Sequence, residues 1–440
     1  MVTIMQMFQP QIETMKRDEL RELQLAKLKK QVEHAYNDVP HYKKLLDERG
    51  VRPEHIRSLA DVALLPLTTK EDLRQTYPFG MFGVPQREVV RIHASSGTTG
   101  KPTVVGFTKA DLDVWSDCIA RLCTAVGVTA DDVAQISFGY GLFTGALGLH
   151  MGLEKLGVSV VPISSGNTDK QLMLMEDFGT TVLIATPSYA LYLGEAIRER
   201  GLSDRIKLRI GLFGSEGCTP EMRAQIEKNM NLFATDNYGL SECGGPGMSG
   251  ECHLRNGLHI AEDHFLCEII DSETLEPKRE GEQGELVVTC LSKRCLPVLR
   301  YRTKDITTLD YTPCACGRTH ARMAKVTDRA DDMLIIKGVN VFPSQIESVL
   351  IGMEGIGPHY QLVLRRKNFM DNLEVKVELI DSALLERFAE LEGLQRRIHD
   401  RLKSVLGLEC RVSLVEPGTL ERFQGKAKRV LDLRKEPDGQ

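Results

Sequence analysis

The stretch Ser95-Ser96-Gly97-Thr98-Thr99-Gly100-Lys101-Pro102-Thr103 has the residue types of a phosphate cradle. Its glycines and hydroxyl-bearing residues let backbone N–H groups and hydroxyls close on phosphate oxygens, and Lys101 adds positive charge. Strand-like runs flank it, Val89-Val90-Arg91-Ile92 before and Val104-Val105-Gly106-Phe107 after, which predicts a loop joining the strands of a hairpin. A P-loop instead feeds a helix and reads Gly-x-x-x-x-Gly-Lys-Ser/Thr. Only Thr98 and Thr99 separate Gly97 from Gly100, so the spacing excludes that motif. A flexible polar hairpin loop without a ligand is the alternative reading.

Further along, Tyr238-Gly239-Leu240-Ser241-Glu242 offers a flat ring for stacking on a base. Its carboxylate can place Mg2+, a hard cation that prefers oxygen ligands and bridges phosphates. Plain packing of the tyrosine, and a surface or helix-start position for Glu242, are the alternatives. Gly214-Ser215-Glu216 follows the apolar run Ile210-Gly211-Leu212-Phe213, at the kind of strand end where α/β folds present ligand-binding loops. Asp305, just behind Arg300-Tyr301-Arg302, can accept hydrogen bonds from both hydroxyls of a ribose, or pair with a neighbouring arginine. Lys426, in Gly425-Lys426-Ala427, can stabilise charge developing in a transition state. With Lys428 and Arg429 beside it, the same lysine also reads as part of a basic, solvated tail.

The elements that must position these groups are legible in the spacing. Residues 13–49 are rich in Lys, Glu and Leu at helical spacing, with Leu20, Leu23, Leu25 and Leu28 as an apolar stripe and Pro40 breaking the pattern. Thr69, with Asp72 three residues on, predicts a capped helix start. From 108 to about 270, helical stretches alternate with short strands at 159–163, 182–185 and 210–214, which predicts parallel α/β layering. Residues 284–310 are richer in β-type residues, with 285–289 a clear strand, and a shorter α+β section after about 330 has a helix near 384–405. The 440 residues exceed one ordinary core. We therefore expect an α/β protein with a large N-terminal domain over 1–330, containing a β-rich subdomain, and a small C-terminal α+β domain over 331–440. Hydrophobic content of 42% and charged content of 27% describe a soluble globular chain. A net charge of −5 without long blocks disfavours nucleic acid as a partner, and no apolar run is long enough to span a bilayer. The N-terminus lacks a basic region followed by an apolar core, and the 11 cysteines are scattered, so a reducing cytoplasm is the expected location.

Taken in order, the blocks at 95–103, 238–242, Tyr301-Arg302-Thr303-Lys304-Asp305, 331–343 and 425–427 run over nearly the whole chain, and the sequence resembles the phenylacetate–CoA ligase family of adenylate-forming enzymes. The resemblance implies an enzyme that joins a carboxylic acid to ATP, giving an acyl-adenylate and pyrophosphate, and then passes the acyl group to CoA. It implies ATP contacts from Ser95, Ser96, Gly97, Thr98, Thr99, Gly100 and Lys101, from Gly214, Ser215 and Glu216, and from Asp236, Tyr238, Gly239, Asp305 and Arg329. It also implies Mg2+ at Glu242, ribose at Asp305, a catalytic Lys426, a hinge at Asp331 ahead of a mobile C-terminal domain, and a homodimer. Two departures stand out: Asp328-Arg329 where the family commonly has Gly-Arg, and Glu421-Arg422-Phe423-Gln424 ahead of the lysine in place of a Ser-Glu lead-in.

An acyl pocket is expected in Phe138-Gly139-Tyr140-Gly141-Leu142-Phe143-Thr144-Gly145-Ala146, where glycines let a flat ring slot against backbone. Tyr140, Phe143 and Ala146 would line it, with Pro246 as the opposite wall and an aryl or arylacetic acid as guest. Packing of this segment against a helix is the alternative. Cys252, His259, Cys314 and Cys316 could form a closed tetrahedral Zn2+ site, with His253, His264 and His320 as rival ligands and four unpaired side chains as the other reading. The resemblance favours structural zinc. Functions to be distinguished from a phenylacetate ligase are a ligase for a benzoate or an indole acid, adenylation without CoA transfer, and a non-catalytic nucleotide sensor.

Overall fold

The computed structural model describes residues 7–95, 102–326, 328–329, 334–336, 339–367, 370–422 and 428–434. The chain divides into two compact units. The first comprises Met1–Ala185, Asp204–Ser215 and Phe233–Val326; the second comprises Thr186–Ser203, Glu216–Leu232 and Thr327–Gln440.

The first unit is built on a mixed sheet. Its parallel part runs Ser159–Val161, Val133–Ile136, Val182–Ala185, Ile210–Phe213 and Phe233–Leu240, in that spatial order. From Phe233–Leu240 the sheet continues antiparallel through Gly245–Glu251, Leu258–Ile260, Arg322–Met323 and Leu309–Asp310. Every residue of Val182–Ala185 and Ile210–Phe213 is buried, as an apolar parallel strand covered on both faces requires. The expected strands at 159–163 and 210–214 end slightly earlier than the composition suggested. The expected strand at 285–289 lies within Gly284–Cys290, antiparallel to Phe265–Ile270 and Tyr301–Thr307.

The predicted hairpin forms, with Arg91–Ser95 antiparallel to Thr103–Phe107 and Ser95 opposite Thr103. It begins at Arg91 rather than Val89, because Val89 closes the 3-10 turn Gln86–Glu88. Thr69 caps the helix Lys70–Gln75, its amide donating to Asp72 Oδ2 at 2.7 Å. The N-terminal region forms helices Pro10–Glu13, Arg17–Asp38 and Pro40–Glu48. The leucine stripe is only partly the buried face. Leu20 and Leu28 are buried together with Gln24 and Gln31, while Leu23 and Leu25 sit at its margins. The centre of that face follows the four-residue series Leu20, Gln24, Leu28 and Val32, and Leu23 and Leu25 flank it on either side. The two buried amides are satisfied, Gln24 Nε2 donating to Glu262 O and Gln31 Nε2 to Lys293 O, both at 2.8 Å.

In the second unit, Ile356–Lys367 and Met370–Leu379 pair antiparallel, flanked in parallel by Val430–Asp432 and Arg411–Val415 respectively. The helix expected near 384–405 runs Phe388–Leu406 after a 3-10 turn at Ser382–Glu386. It buries Leu394, Ile398, Leu402 and Leu406 at a four-residue spacing and ends at Gly407, whose φ of 69° suits a glycine C-cap. Among the described residues no helix is long and apolar enough to cross a membrane.

Candidate active site

Ligand-binding crevices in open α/β sheets form at the carboxyl ends of strands where the strand order reverses. Here the reversal falls at Val133–Ile136, which lies between Ser159–Val161 and Val182–Ala185. The glycine-rich segment 138–146 leaves that strand end. It is tied to two neighbouring motifs by short polar links. The Leu142 carbonyl accepts from Ala94 N at 2.9 Å and lies 3.0 Å from His93 Nδ1, on the strand Arg91–Ser95. Thr144 Oγ1 lies 2.9 Å from Ser241 Oγ in the turn that carries Glu242.

The strand Phe233–Leu240 passes into the 3-10 turn Ser241–Cys243, on which Glu242 is 5% exposed. Tyr238 donates its hydroxyl proton to Asp305 Oδ2 at 2.5 Å. Burial, then the adjacent Asp305 charge, pushes the Tyr238 hydroxyl well above its ordinary pKa, so the phenol stays protonated. Asp305 is on the buried phase of the alternating strand Tyr301–Thr307. Gly239 is required by close approach: a Cβ there would stand 1.9 Å from Gly245 O. The Asp236 carboxylate faces Lys325 Nζ at 3.5 Å, and its amide donates to Glu251 Oε2 at 2.8 Å. Gly214 packs so closely on Asn237 O that a Cβ would meet it at 2.7 Å. Ser215 then adopts a left-handed φ of 73° in the turn after Ile210–Phe213. Glu216 Oε1 accepts from Ser188 N at 2.7 Å.

A small apolar pocket opens in the first unit, lined by Phe107, Trp115, Pro246, Met248, Phe265 and Lys293 among others. Of the residues expected to hold the acyl group, Pro246 lines it. Tyr140, Phe143 and Ala146 do not: the Tyr140 hydroxyl lies 3.0 Å from His150 Nδ1, Phe143 is 55% exposed, and Ala146 is buried in the helix Gly145–Lys155. Trp115 organises the pocket. Its indole stacks on Phe107 with centroids 5.0 Å apart and donates Nε1–H to Pro246 O at 2.8 Å. It fits only because residues 148 and 245 are glycines, where a Cβ would approach its ring to 2.1 and 2.3 Å. Sequence reasoning missed Trp115 and Lys293. The available signal was that Trp115 is the sole tryptophan of the chain, on a helix directly after the hairpin.

Away from this pocket, the ligand atoms of Cys252, His259, Cys314 and Cys316 all lie within 4.8 Å of one another. Cys252 Sγ is 4.0 Å from Cys314 Sγ, and Cys316 Sγ is 3.5 Å from His259 Nε2. A tetrahedral zinc with bonds of about 2.0–2.3 Å needs edges of roughly 3.5–3.8 Å, so the donor set fits. The Cys252–Cys316 contact holds the Cys316 thiol well below its ordinary pKa and pushes Cys252 up. The rival histidines are engaged elsewhere or outside the cluster: His264 Nδ1 with Ser292 Oγ, His320 Nδ1 with Ile260 O, and His253 apart from the four. All 11 cysteines are unbridged.

Ser96, Gly97, Thr98, Thr99, Gly100, Lys101, Asp331 and Lys426 lie outside the described residues, and only the backbone is described for Ser95 and Arg329.

Comparison with known proteins gives consistent results. The AMP-binding enzyme family matches residues 23–290, and the AMP-binding enzyme C-terminal domain matches 338–434. A phenylacetate-coenzyme A ligase of Thermus thermophilus is 47% identical, covering 98% of this chain and 100% of that protein. Another, from Aromatoleum evansii, is 48% identical over 96% of each, and one from Escherichia coli is 46% identical over 96% of this chain and 97% of its own. Among solved structures, 2-hydroxyisobutyryl-CoA ligase in a postadenylation state superposes with a TM-score of 0.90 at 28% identity, covering 96% of this chain and 91% of that one.

Proposed function

The chain belongs to the phenylacetate-coenzyme A ligases of the AMP-binding enzyme family, and on that premise we propose that it converts phenylacetate, ATP and CoA into phenylacetyl-CoA, AMP and pyrophosphate. It is an AMP-forming acid–thiol ligase of mixed α/β fold. The carboxylate attacks the α-phosphate and pyrophosphate leaves; the CoA thiol then attacks the mixed anhydride and AMP leaves. The observation that carries the choice of acid is the near full-length likeness to phenylacetate-coenzyme A ligases, with the apolar, aromatic lining around Trp115 in keeping with an aryl guest.

Adenylation needs positioning and charge neutralisation more than covalent help from the protein. Residues 95–101 hold the β- and γ-phosphates with backbone N–H groups, hydroxyls and the Lys101 ammonium. Tyr238 stacks on adenine beside the turn Gly214-Ser215-Glu216, and Asp305, already held by the Tyr238 hydroxyl, takes the ribose hydroxyls. Asp236, Gly239 and Arg329 complete the nucleotide site. Glu242 is the carboxylate that would hold Mg2+, which supplies charge neutralisation on the phosphates. Lys426 stabilises charge developing between carboxylate and α-phosphate. Residues 1–330 form the adenylation domain and 331–440 the lid, with Asp331 the hinge. Pro246 forms part of the wall of the aryl site. Cys252, His259, Cys314 and Cys316 would hold a structural Zn2+, remote from the chemistry because all four positions are filled. The protein is placed in the cytoplasm as a homodimer, which sedimentation would check.

Acid-dependent ATP–pyrophosphate exchange over a panel of phenylacetate, benzoate and indole acids, with thioester detection, tests the reading. Phenylacetate is expected to give the highest kcat/KM and a CoA thioester product. Exchange without thioester, or none from folded protein, would sink it. Lys426→Ala should lose adenylation yet still form thioester from supplied acyl-adenylate.

A further inference from the structure

Lys293 is unused by the mechanism above, and its burial is costly unless its charge is satisfied. It is 7% exposed. Its Nζ donates to Glu242 O at 3.1 Å and to Ser241 O at 3.5 Å, and stands 4.5 Å from the centroid of the Phe107 ring. The ammonium thus adds a charged donor to the Ser241 and Glu242 carbonyls of the 3-10 turn Ser241–Cys243, where Ser241 O also accepts from Gly244 N at 3.2 Å. Gly244 and Gly245, just past the turn, both take positive φ, 124° and 98°, before the chain is held by pairing of Gly245 with Leu240 and by the Trp115 bond to Pro246 O.

The lysine is itself rigidly seated. Gln31 Nε2 holds its carbonyl at 2.8 Å from the N-terminal helix. Asp111 accepts from the next two amides, Arg294 N at 2.6 Å and Cys295 N at 3.0 Å. On the other side Ser292 Oγ lies 2.8 Å from His264 Nδ1. A fixed cation therefore grips the main chain of the one residue whose carboxylate is assigned to Mg2+.

We propose that Lys293 is a positioning residue for adenylation: its ammonium locks the Ser241–Glu242 main chain so that the Glu242 carboxylate presents one geometry to the Mg2+ of the bound nucleotide. The inference rests on the assignment of Mg2+ to Glu242. Loss of a group that orients a metal ligand costs roughly 10–100-fold in metal affinity or activity.

The test measures the Mg2+ dependence of acid-dependent ATP–pyrophosphate exchange in Lys293→Met, Lys293→Arg and Glu242→Gln, together with thermal midpoints and far-ultraviolet circular dichroism. Lys293→Met should raise the Mg2+ concentration for half-maximal exchange by roughly tenfold or more. Lys293→Arg, which keeps charge and donors, should recover most of that shift, and it carries the test if the methionine variant does not fold. A lower thermal midpoint with an unchanged Mg2+ requirement would overturn the proposal, as would an arginine variant no better than methionine. If Glu242→Gln leaves the Mg2+ requirement unchanged, the assignment of Glu242 fails; if it shifts the requirement and Lys293→Met does not, the positioning role alone fails.

Discussion

Trp115 shows how much one side chain can decide. Its indole fills the slot between Gly148 and Gly245, stacks on Phe107 and bonds to Pro246 O, so it fixes both a wall of the apolar pocket and the chain just beyond Glu242. Gly148→Ala would put a Cβ 2.1 Å from Trp115 Cζ2, and neither a rigid bicyclic ring nor a helix backbone can yield cheaply. The expected cost is about 1–3 kcal/mol of overpacking. Because Trp115 is the only tryptophan, its displacement is read directly as a shift in intrinsic fluorescence, with a raised KM for the aryl acid. Unchanged emission and KM would show that this slot does not set the pocket. Tyr238 is a second case: the sequence offered its ring, while the structure adds that its hydroxyl is spent on Asp305.

At the scale of elements, the helix Lys109–Ala125 links the strand pair Arg91–Ser95 and Thr103–Phe107 to the loop that carries Lys293. Its capping box joins Thr108 and Asp111. The Asp111 carboxylate accepts from Thr108 N at 2.8 Å and from the amides of Arg294 and Cys295, and it is 5% exposed. Replacing Thr108 by alanine should cost about 1 kcal/mol, the ordinary worth of a cap. Asp111→Ala strands three amides, two of them in buried bonds, and should cost about 2–3 kcal/mol or more. Denaturant unfolding of the two variants checks the order; equal losses would mean that the tertiary half of the network contributes nothing. The capping box itself was not singled out from sequence, although Thr108 and Asp111 have the same spacing as Thr69 and Asp72. Its second role was invisible, because Arg294 is more than 180 residues away in the chain.

For the first unit as a whole, the N-terminal residues are fastened through charges. Glu13 Oε2 accepts from Arg318 Nε at 2.7 Å, both side chains being 4% exposed, and Arg318 also reaches Cys316 Sγ at 3.8 Å. Arg17 donates from Nη1 to both Glu262 oxygens, at 2.7 and 2.8 Å. A buried pair of this kind is costly to break by removing one partner, and Arg318 couples it to the cysteine–histidine cluster. Dialysed protein should therefore hold about one zinc per chain, and stripping the metal with a chelator should loosen the segment ahead of Arg17. Metal analysis and trypsin cleavage after the exposed Lys16 check this. Folded protein with only trace zinc, or cleavage indifferent to the chelator, would refute it.

What the sequence determined by itself was whatever short-range chemistry dictates. The strand pair flanking residues 95–103, the Thr69 cap, the buried parallel strands and the order of the motifs were legible because each depends on neighbours a few residues apart. The donor set Cys252, His259, Cys314 and Cys316 could be named from residue type against three rival histidines, but only folding brings its members, spread from Cys252 to Cys316, within 4.8 Å. The same limit explains the pocket. Aromatic and glycine content pointed to 138–146, and no local pattern pointed to the cavity lined by Phe107, Trp115, Pro246 and Lys293, which the sheet and the helix Lys109–Ala125 bring together from distant stretches. Residue type fixes which groups can bind phosphate, ring or metal; which of them face a common space is decided by long-range packing, and no local pattern encodes it.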